Sequence, residues 1–155
     1  MRLSLLTVFG LCLFLSGCGS DSDKPEPPPT VIDAKIVVSS EVNPDISGRP
    51  SPIVMRVFEL KSVGNFIDAD FYKLFNDYQG ELGGDLLATE KFHLQPGDVK
   101  PYSHPVDPDA RYIAVIAAYR DLNQAIWRDS VAIPAHKKTR IMILLEKLTA
   151  SIWKK

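Results

Sequence analysis

The sequence predicts a mainly β domain, a two-sheet β-sandwich with a short helical insertion between the second and third strands. Short runs of β-branched and aromatic residues alternate with turn-forming residues along most of the chain. One segment instead has helical periodicity. The roughly 125 residues from Val31 onward are enough for a single hydrophobic core.

Six strands are expected in this domain. Phe92 and Leu94 alternate with polar neighbours that include His93, as in a strand with one solvent-facing side. Residues 112–119 are almost continuously apolar, which predicts a central strand buried on both faces. The pattern leaves open whether Tyr102–Asp109 is a strand or a loop. The predicted strands are residues 35–39, 53–60, 89–95, 112–119, 126–133 and 140–148.

The helical insertion is expected over residues 68–78. Its apolar side chains recur three and four positions apart and would form one face of a helix. Asp68 is the expected N-cap, and Gly83 with Gly84 interrupts the segment before the third strand. The predicted apolar face consists of Phe71, Leu74, Phe75 and Tyr78.

The first 17 residues are predicted to be a secretion signal. Arg2 precedes an apolar stretch over residues 3–15, which is shorter than the about 20 residues that span a bilayer. Residues 15–18, Leu-Ser-Gly-Cys, resemble the bacterial lipobox, which implies cleavage before Cys18 and lipid on that cysteine. A buried N-terminal helix is disfavoured because a polar, proline-rich tract follows. Cys12 would leave with the signal, so the mature domain would have no thiol for a disulfide or a metal.

A linker is predicted from Cys18 to residue 30, followed by the sandwich over residues 31–155. Four prolines favour an extended spacer that could hold the domain up to about 35 Å from the bilayer. Gly19, and not aspartate, follows the lipobox cysteine. By resemblance to lipoprotein sorting signals, this implies attachment to the outer membrane.

Composition and motifs argue against catalysis and nucleic-acid binding. The chain has 18 basic and 19 acidic residues, a balance without net attraction to nucleic acid or anionic lipid. His93, His104 and His136 are far apart in sequence and form no metal-binding motif. Neither a serine nucleophile motif nor a glycine-rich phosphate loop occurs. We therefore expect no enzyme activity, no metal and no cofactor other than the covalent lipid on Cys18.

Two arginines lie in or beside apolar strands, where an unpaired charge is costly. Arg56 and Arg120 are each expected to pair with a carboxylate such as Glu59 or Asp121, or to lie at a solvated edge. Contact with a partner protein is the alternative. The roles of both arginines, and that of Trp153 in the C-terminal tail, stay open at this stage.

Seven motifs follow one another over residues 52–128, behind the lipobox: Pro52–Lys61, Phe66, Asp70-Phe71 with Leu74, Leu82-Gly83, Leu94–Gly97, Tyr112–Asp121 and Trp127-Arg128. In this order they resemble the TssJ (SciN-type) lipoproteins of the type VI secretion system. The combination with a lipobox is more specific than any single motif. Ala114 departs from the pattern, which often has glycine there, and puts local strand packing in question.

The resemblance implies a transthyretin-like sandwich anchored in the inner leaflet of the outer membrane and facing the periplasm. Its implied partner is the periplasmic C-terminal region of TssM, with TssL in the same membrane complex. It also implies that the loop between the first two strands binds this partner. Apolar and proline residues there would lose little entropy on docking. The loop residues are Val42, Asn43, Pro44, Asp45, Ile46, Ser47, Gly48, Arg49, Pro50 and Ser51.

A second hypothesis is a periplasmic ligand-binding lipoprotein of a transport system. Such a protein would need a concave pocket with converging polar groups, which a sequence does not reveal. The resemblance favours the first hypothesis, under which neither a small-molecule substrate nor nucleic acid is expected.

Overall fold

The computed structural model describes residues 25–155, which form two four-stranded sheets packed face to face. The predicted signal peptide, Cys18, Gly19 and the first part of the linker lie outside the described residues. The lipid anchor and the domain boundaries therefore stay predictions.

Eight strands and three short helices make up residues 25–155. The helices lie between the second and third strands, as predicted, and end in a 3-10 turn at Gly83–Asp85. The elements are β1 (Val31–Val38), β2 (Ile53–Leu60), α1 (Gly64–Asp68), α2 (Phe71–Asn76), α3 (Tyr78–Leu82), β3 (Leu86–Leu94), β4 (Val99–Pro105), β5 (Tyr112–Ala117), β6 (Arg128–Ala132), β7 (Lys138–Leu145) and β8 (Ala150–Lys154).

Sheet 1 has the order β4-β1-β7-β8, and sheet 2 has the order β3-β2-β5-β6. In sheet 1, β1 pairs parallel with β7 and antiparallel with β4, whereas all pairs of sheet 2 are antiparallel. Alternate residues of the strands point inward and form the main core. Examples of this core are Ile32, Ile36, Met55, Val57, Ile113, Val115, Ile141 and Ile143.

The helices cover the outer face of sheet 2 and create a second core there. Phe58 and Leu60 of β2 point toward the helices and are fully buried. β5 is consequently buried on both faces, which confirms its prediction as a central strand. Ala114 lies in this second core, where its small side chain is fully buried. Other members are Phe66, Ala69, Leu74, Leu82 and Ile116.

The single predicted helix is instead three short ones, and Asp68 is not its N-cap. Ala69 after α1 has an extended backbone. Asp70 is the N-cap of α2, and its side chain accepts a hydrogen bond from the Lys73 backbone N–H at 3.0 Å. Asp77 does the same for α3 through the Gly80 N–H at 3.1 Å. Aspartate side chains compete for backbone donors and so begin new helices where a longer helix would continue.

Two strands of sheet 1 were absent from the sequence prediction. β4 contains Pro101 and Pro105, which an edge strand tolerates because its outer N–H groups have no ladder partner. The stretch Tyr102–Asp109, which the sequence pattern does not assign to strand or loop, is therefore both. It is a strand through Pro105, followed by a turn in which the Asp109 N–H donates to Asp107 Oδ1 at 2.8 Å. Trp153 lies on the second of these strands, β8, and not in a tail.

Arg56 and Glu59 do not form the pair that the sequence suggested. The Arg56 guanidinium lies 4.3 Å from the ring centroid of Tyr78 on the helical side of β2. Glu59 points into the sandwich and lies 2.8 Å from His104 Nε2 of the other sheet. It also accepts the Asp107 backbone N–H at 2.9 Å. The buried carboxylate thus links the two sheets.

The sandwich has two distinct ends. At one end, here called the tether end, the chain enters β1. The His136 N–H donates to Thr30 Oγ1 at 2.8 Å, and the Val31 N–H donates to the Lys137 carbonyl at 3.0 Å. The loop after β1 lies at the other end, the loop end, where the Ser39 N–H donates to the Leu145 carbonyl at 2.8 Å. Eight residues of β1 separate the ends by roughly 25 Å.

Candidate functional site

The base of the candidate loop is fixed to the sandwich by backbone hydrogen bonds. The Asn43 N–H donates to the Lys147 carbonyl in the β7–β8 turn at 3.0 Å. The Ser51 N–H donates to the Val42 carbonyl at 3.1 Å and closes the loop. Because Val42 is fully buried in the main core, the loop begins from a rigid position.

Asn43 joins this loop to the loop that follows β5. Its Nδ2 donates to the Pro52 carbonyl at 2.8 Å, and its Oδ1 accepts the Arg120 backbone N–H at 2.8 Å. Its backbone is left-handed (φ 49°), and the residue is only 3% exposed. Asparagine is tolerated in this conformation more readily than most residues.

Asp45 organises the tip of the loop. Its Oδ1 accepts the backbone N–H groups of Ser47 at 2.8 Å and Arg49 at 3.0 Å. Its Oδ2 accepts Arg49 Nε and Nη2, both at 2.9 Å. The hydrogen bond from the Arg49 backbone N–H lowers the pKa of Asp45, and its bonds with the Arg49 side chain and Ser47 act in the same direction. The tip is therefore held in one shape by a charged carboxylate.

Ile46 projects from this ordered tip and is fully exposed, with a relative exposure of 106%. An open cleft of about 440 Å³ lies beside it. The cleft combines apolar side chains with a cation and two carboxylates from three separate loops. Its lining consists of Pro44, Asp45, Ile46, Arg120, Asp121 and Leu148.

The structure separates the ten predicted loop residues into three groups by burial. Val42, Asn43 and Ser51 are buried and support the loop, whereas Pro44 and Asp45 are half-buried. The exposed members are Ile46, Ser47, Gly48, Arg49 and Pro50.

Arg120, Asp121 and Leu148 join the site from other loops. Arg120 does not form the carboxylate pair that its sequence context favours: it is exposed and lines the cleft, with no carboxylate within 4.0 Å among residues 25–155. This position is compatible with the alternative of partner contact. Asp121 and Leu148 were not predicted as site residues. Leu148 follows β7 by only three positions, and its sequence neighbours carry no signal that it meets the β1–β2 loop.

Residues 25–155 contain neither a metal-ligand cluster nor a membrane-spanning helix. Within residues 25–155, no group of three or more histidine, aspartate or glutamate side chains is close enough to hold a metal ion. No helix in the same range has the length and apolar character needed to cross a membrane.

The fold and site define a two-sheet β-sandwich that presents an ordered loop with an apolar tip. A family profile described as type VI secretion lipoprotein (T6SS-SciN; VasD, EvfM, TssJ, VC_A0113) matches residues 30–148. The chain belongs to this family, which confirms the resemblance identified in its motifs. The family is one of structural secretion lipoproteins and not of enzymes.

Solved structures agree with this assignment. The T6SS lipoprotein TssJ1 from Pseudomonas aeruginosa is 31% identical, over 83% of this chain and 98% of that chain, with a TM-score of 0.80. Serratia marcescens Lip, a membrane-bound component of the type VI secretion system, is 32% identical over 82% and 98%, with a TM-score of 0.75. These matches confirm the predicted fold class. No curated protein sequence gave a significant match.

A third similar chain belongs to a structure described as the T6SS protein TssM C-terminal domain from EAEC. It is 25% identical over 79% of this chain and 97% of that chain, with a TM-score of 0.62.

Proposed function

We propose that this protein is the outer-membrane anchor of a type VI secretion membrane complex. Lipid on Cys18 would hold it in the inner leaflet, with the sandwich in the periplasm. The loop Val42–Ser51 would bind the periplasmic C-terminal region of TssM, and through TssM the protein would join the complex that contains TssL. Family membership and the TssJ-like fold support this role.

Two comparisons favour TssM as the partner. The family is a type VI secretion lipoprotein family, which favours an envelope component of that system as the partner. A chain similar to this one occurs in a structure described as the TssM C-terminal domain. An association between such chains would account for this description.

The observation that carries the proposal is the exposure of Ile46 on a loop that is already ordered. An exposed isoleucine loses contact with water when a partner covers it, which favours association. The hydrogen bonds of Asp45 keep the loop tip in one conformation, so little entropy is lost on binding. Arg120 beside the cleft offers a cation to an acidic group of the partner.

The first test is calorimetric titration of residues 19–155 with the TssM C-terminal region encoded by the same genome. We expect micromolar or tighter binding. Ile46→Asp should weaken it at least about tenfold, a loss of about 1.4 kcal/mol in binding free energy, because it places a charge where the apolar tip would be covered. Ile67→Asp is the matched control, since Ile67 is also exposed (52%) but lies on α1. Equal binding by wild type and Ile46→Asp would exclude the loop tip as the contact.

A second test addresses the anchor. Cys18→Ser should leave a folded domain that no longer fractionates with membranes and no longer supports secretion. Secretion at the normal level by this variant would contradict the anchoring role.

A further inference from the structure

Basic side chains gather on sheet 1 at the tether end. They lie in or directly beside two neighbouring antiparallel strands, β7 and β8. The start of β7 pairs with the end of β8, which brings these side chains together. Ile141 pairs with Lys154, and the Lys155 N–H donates to the Arg140 carbonyl at 3.0 Å. Lys154 pairs with the buried Ile141 and therefore lies on the inner side of the sheet, whereas Lys155 lies on the outer side with Arg140. We call the outer group the basic face; its members are Lys137, Lys138, Arg140 and Lys155, all exposed.

A shallow cleft of about 330 Å³ on the outer side of sheet 1 extends this face. Lys35, Arg140 and Lys155 line it together with Val99, Pro101 and Met142. Its only acidic lining side chain is Asp33, whose carboxylate is already paired with Lys138 Nζ at 3.0 Å. The cleft therefore presents cations on an apolar floor, a combination suited to anionic groups attached to apolar chains.

Trp153 adds a second feature of membrane-contacting surfaces. It pairs with Met142 on the outer side of sheet 1 and is 41% exposed. Tryptophan combines a large apolar ring with one N–H donor, and it concentrates where lipid headgroups meet hydrocarbon.

The attachment point of the tether lies at the same end. His136 directly precedes the basic face, and its ring Nδ1 lies 3.1 Å from the Pro28 carbonyl. Residues 19–27 thus separate Cys18 from the fixed part of the chain, a reach of about 28 Å at 3.1 Å per residue. A lipid on Cys18 would keep the basic face within this distance of the headgroups.

We propose that the basic face docks on the anionic phospholipid headgroups of the membrane that holds the lipid anchor. The proposal depends on the anchor of the proposed function. The net charge of −1 does not oppose docking, because the Debye length is about 8 Å at physiological salt and distant acidic residues are screened. Tethering raises the local concentration to the order of millimolar, so a weak attraction is sufficient.

The two tryptophans allow a direct test. Trp153 lies beside the basic face on the outer side of sheet 1, whereas Trp127 packs against Phe71 on the helical side of sheet 2. The lipidated full-length protein would be reconstituted into phosphatidylcholine vesicles with or without one quarter phosphatidylglycerol, with bromine on the acyl chains as quencher. We expect Trp153 quenching about twofold stronger in the anionic vesicles, reduced by 1 M salt, and absent in Trp153→Phe.

A charge-reversal pair separates docking from anchoring. Arg140→Glu with Lys155→Glu should abolish the additional quenching, whereas Lys73→Glu with Lys91→Glu, an equal charge change at exposed positions elsewhere, should preserve it. Every variant should float with the vesicles if the anchor is present. Flotation with equal quenching in neutral and anionic vesicles would overturn the docking proposal alone. Failure of the wild type to float would instead contradict the anchor.

Discussion

Asn43 combines a strained backbone with two buried hydrogen bonds, and the two contributions are separable by mutation. Asn43→Gly removes both side-chain bonds but accepts the left-handed φ of 49° without steric cost. Asn43→Ala also removes the bonds but keeps a Cβ, which costs about 1–2 kcal/mol relative to glycine in this conformation. Denaturant unfolding should therefore show both variants to be destabilised, with alanine the worse by about that amount. Equal stabilities would show that the backbone conformation contributes nothing.

Asp45 predicts a pH dependence of the loop tip. Its folded pKa is lowered below the ordinary value of 3.8, so its contribution to order is present above pH 3.8 and is lost as the pH falls further through the folded pKa. In NMR titrations, the Ser47 and Arg49 amide signals should shift with a midpoint below pH 3.8. Asp45→Asn retains an acceptor oxygen but does not titrate, so these shifts should vanish. A midpoint above 3.8 would contradict the geometry.

The sequence predicted the β1–β2 loop but only part of the cleft that this loop forms with two other loops. Residues 42–51 are contiguous, and their prolines and Gly48 mark a connection between strands. The burial of Asn43 and the contributions of Asp121 and Leu148 depend on how three loops meet at one end of the sandwich. No single stretch of sequence carries that information.

At the scale of elements, periodicity was informative wherever one face is buried. The helical face over Phe71 and Leu74 is buried as predicted, because its spacing matches a sheet-facing helix. β4 was missed because its prolines are unfavourable in central strands, and only the topology shows that it is an edge. Asp70 shows the same limit for helices: its role as a cap depends on where the preceding helix ends.

Arg128 is the main polar link that we observe between the helical layer and sheet 2. From β6, its Nη1 donates to the carbonyls of Phe66 at 3.0 Å and Ala69 at 2.6 Å, the end of α1. Arg128→Met keeps an apolar stem but removes both bonds. We expect a loss of about 1.5–3 kcal/mol in unfolding free energy, the range for a hydrogen bond to a charged group.

Hydrogen exchange would locate this effect. Exchange should accelerate in residues 64–82, whose contacts with Arg128 are lost, and in β1 and β7 only at amides that exchange through global unfolding. Uniform acceleration throughout the sandwich would mean that the helical layer and the main core unfold together.

At the scale of the whole molecule, the tether and the candidate loop lie at opposite ends of β1. Its parallel pairing with β7 fixes this arrangement, because the turn before β7 receives the linker and the turn after β7 supports the loop. Composition alone suggested no attraction to anionic lipid, yet the fold places the four cations of the basic face beside the point where the linker joins the sandwich. Net charge is the sum over the whole molecule, whereas the attraction to a charged membrane depends on the charges within about one Debye length of it, about 8 Å at physiological salt.

This separation of the ends predicts that anchoring and partner binding are independent. The soluble chain from residue 19 and the lipidated protein in detergent should bind the TssM C-terminal region with dissociation constants within about threefold, since effects at well-separated sites are additive to about 0.5 kcal/mol. Conversely, Ile46→Asp should float with vesicles as well as the wild type does. Tighter binding by more than tenfold on lipidation would place the partner contact near the tether end. Membrane and partner would then contact the same surface. In the proposed arrangement, the length of β1, roughly 25 Å, separates the two contact sites.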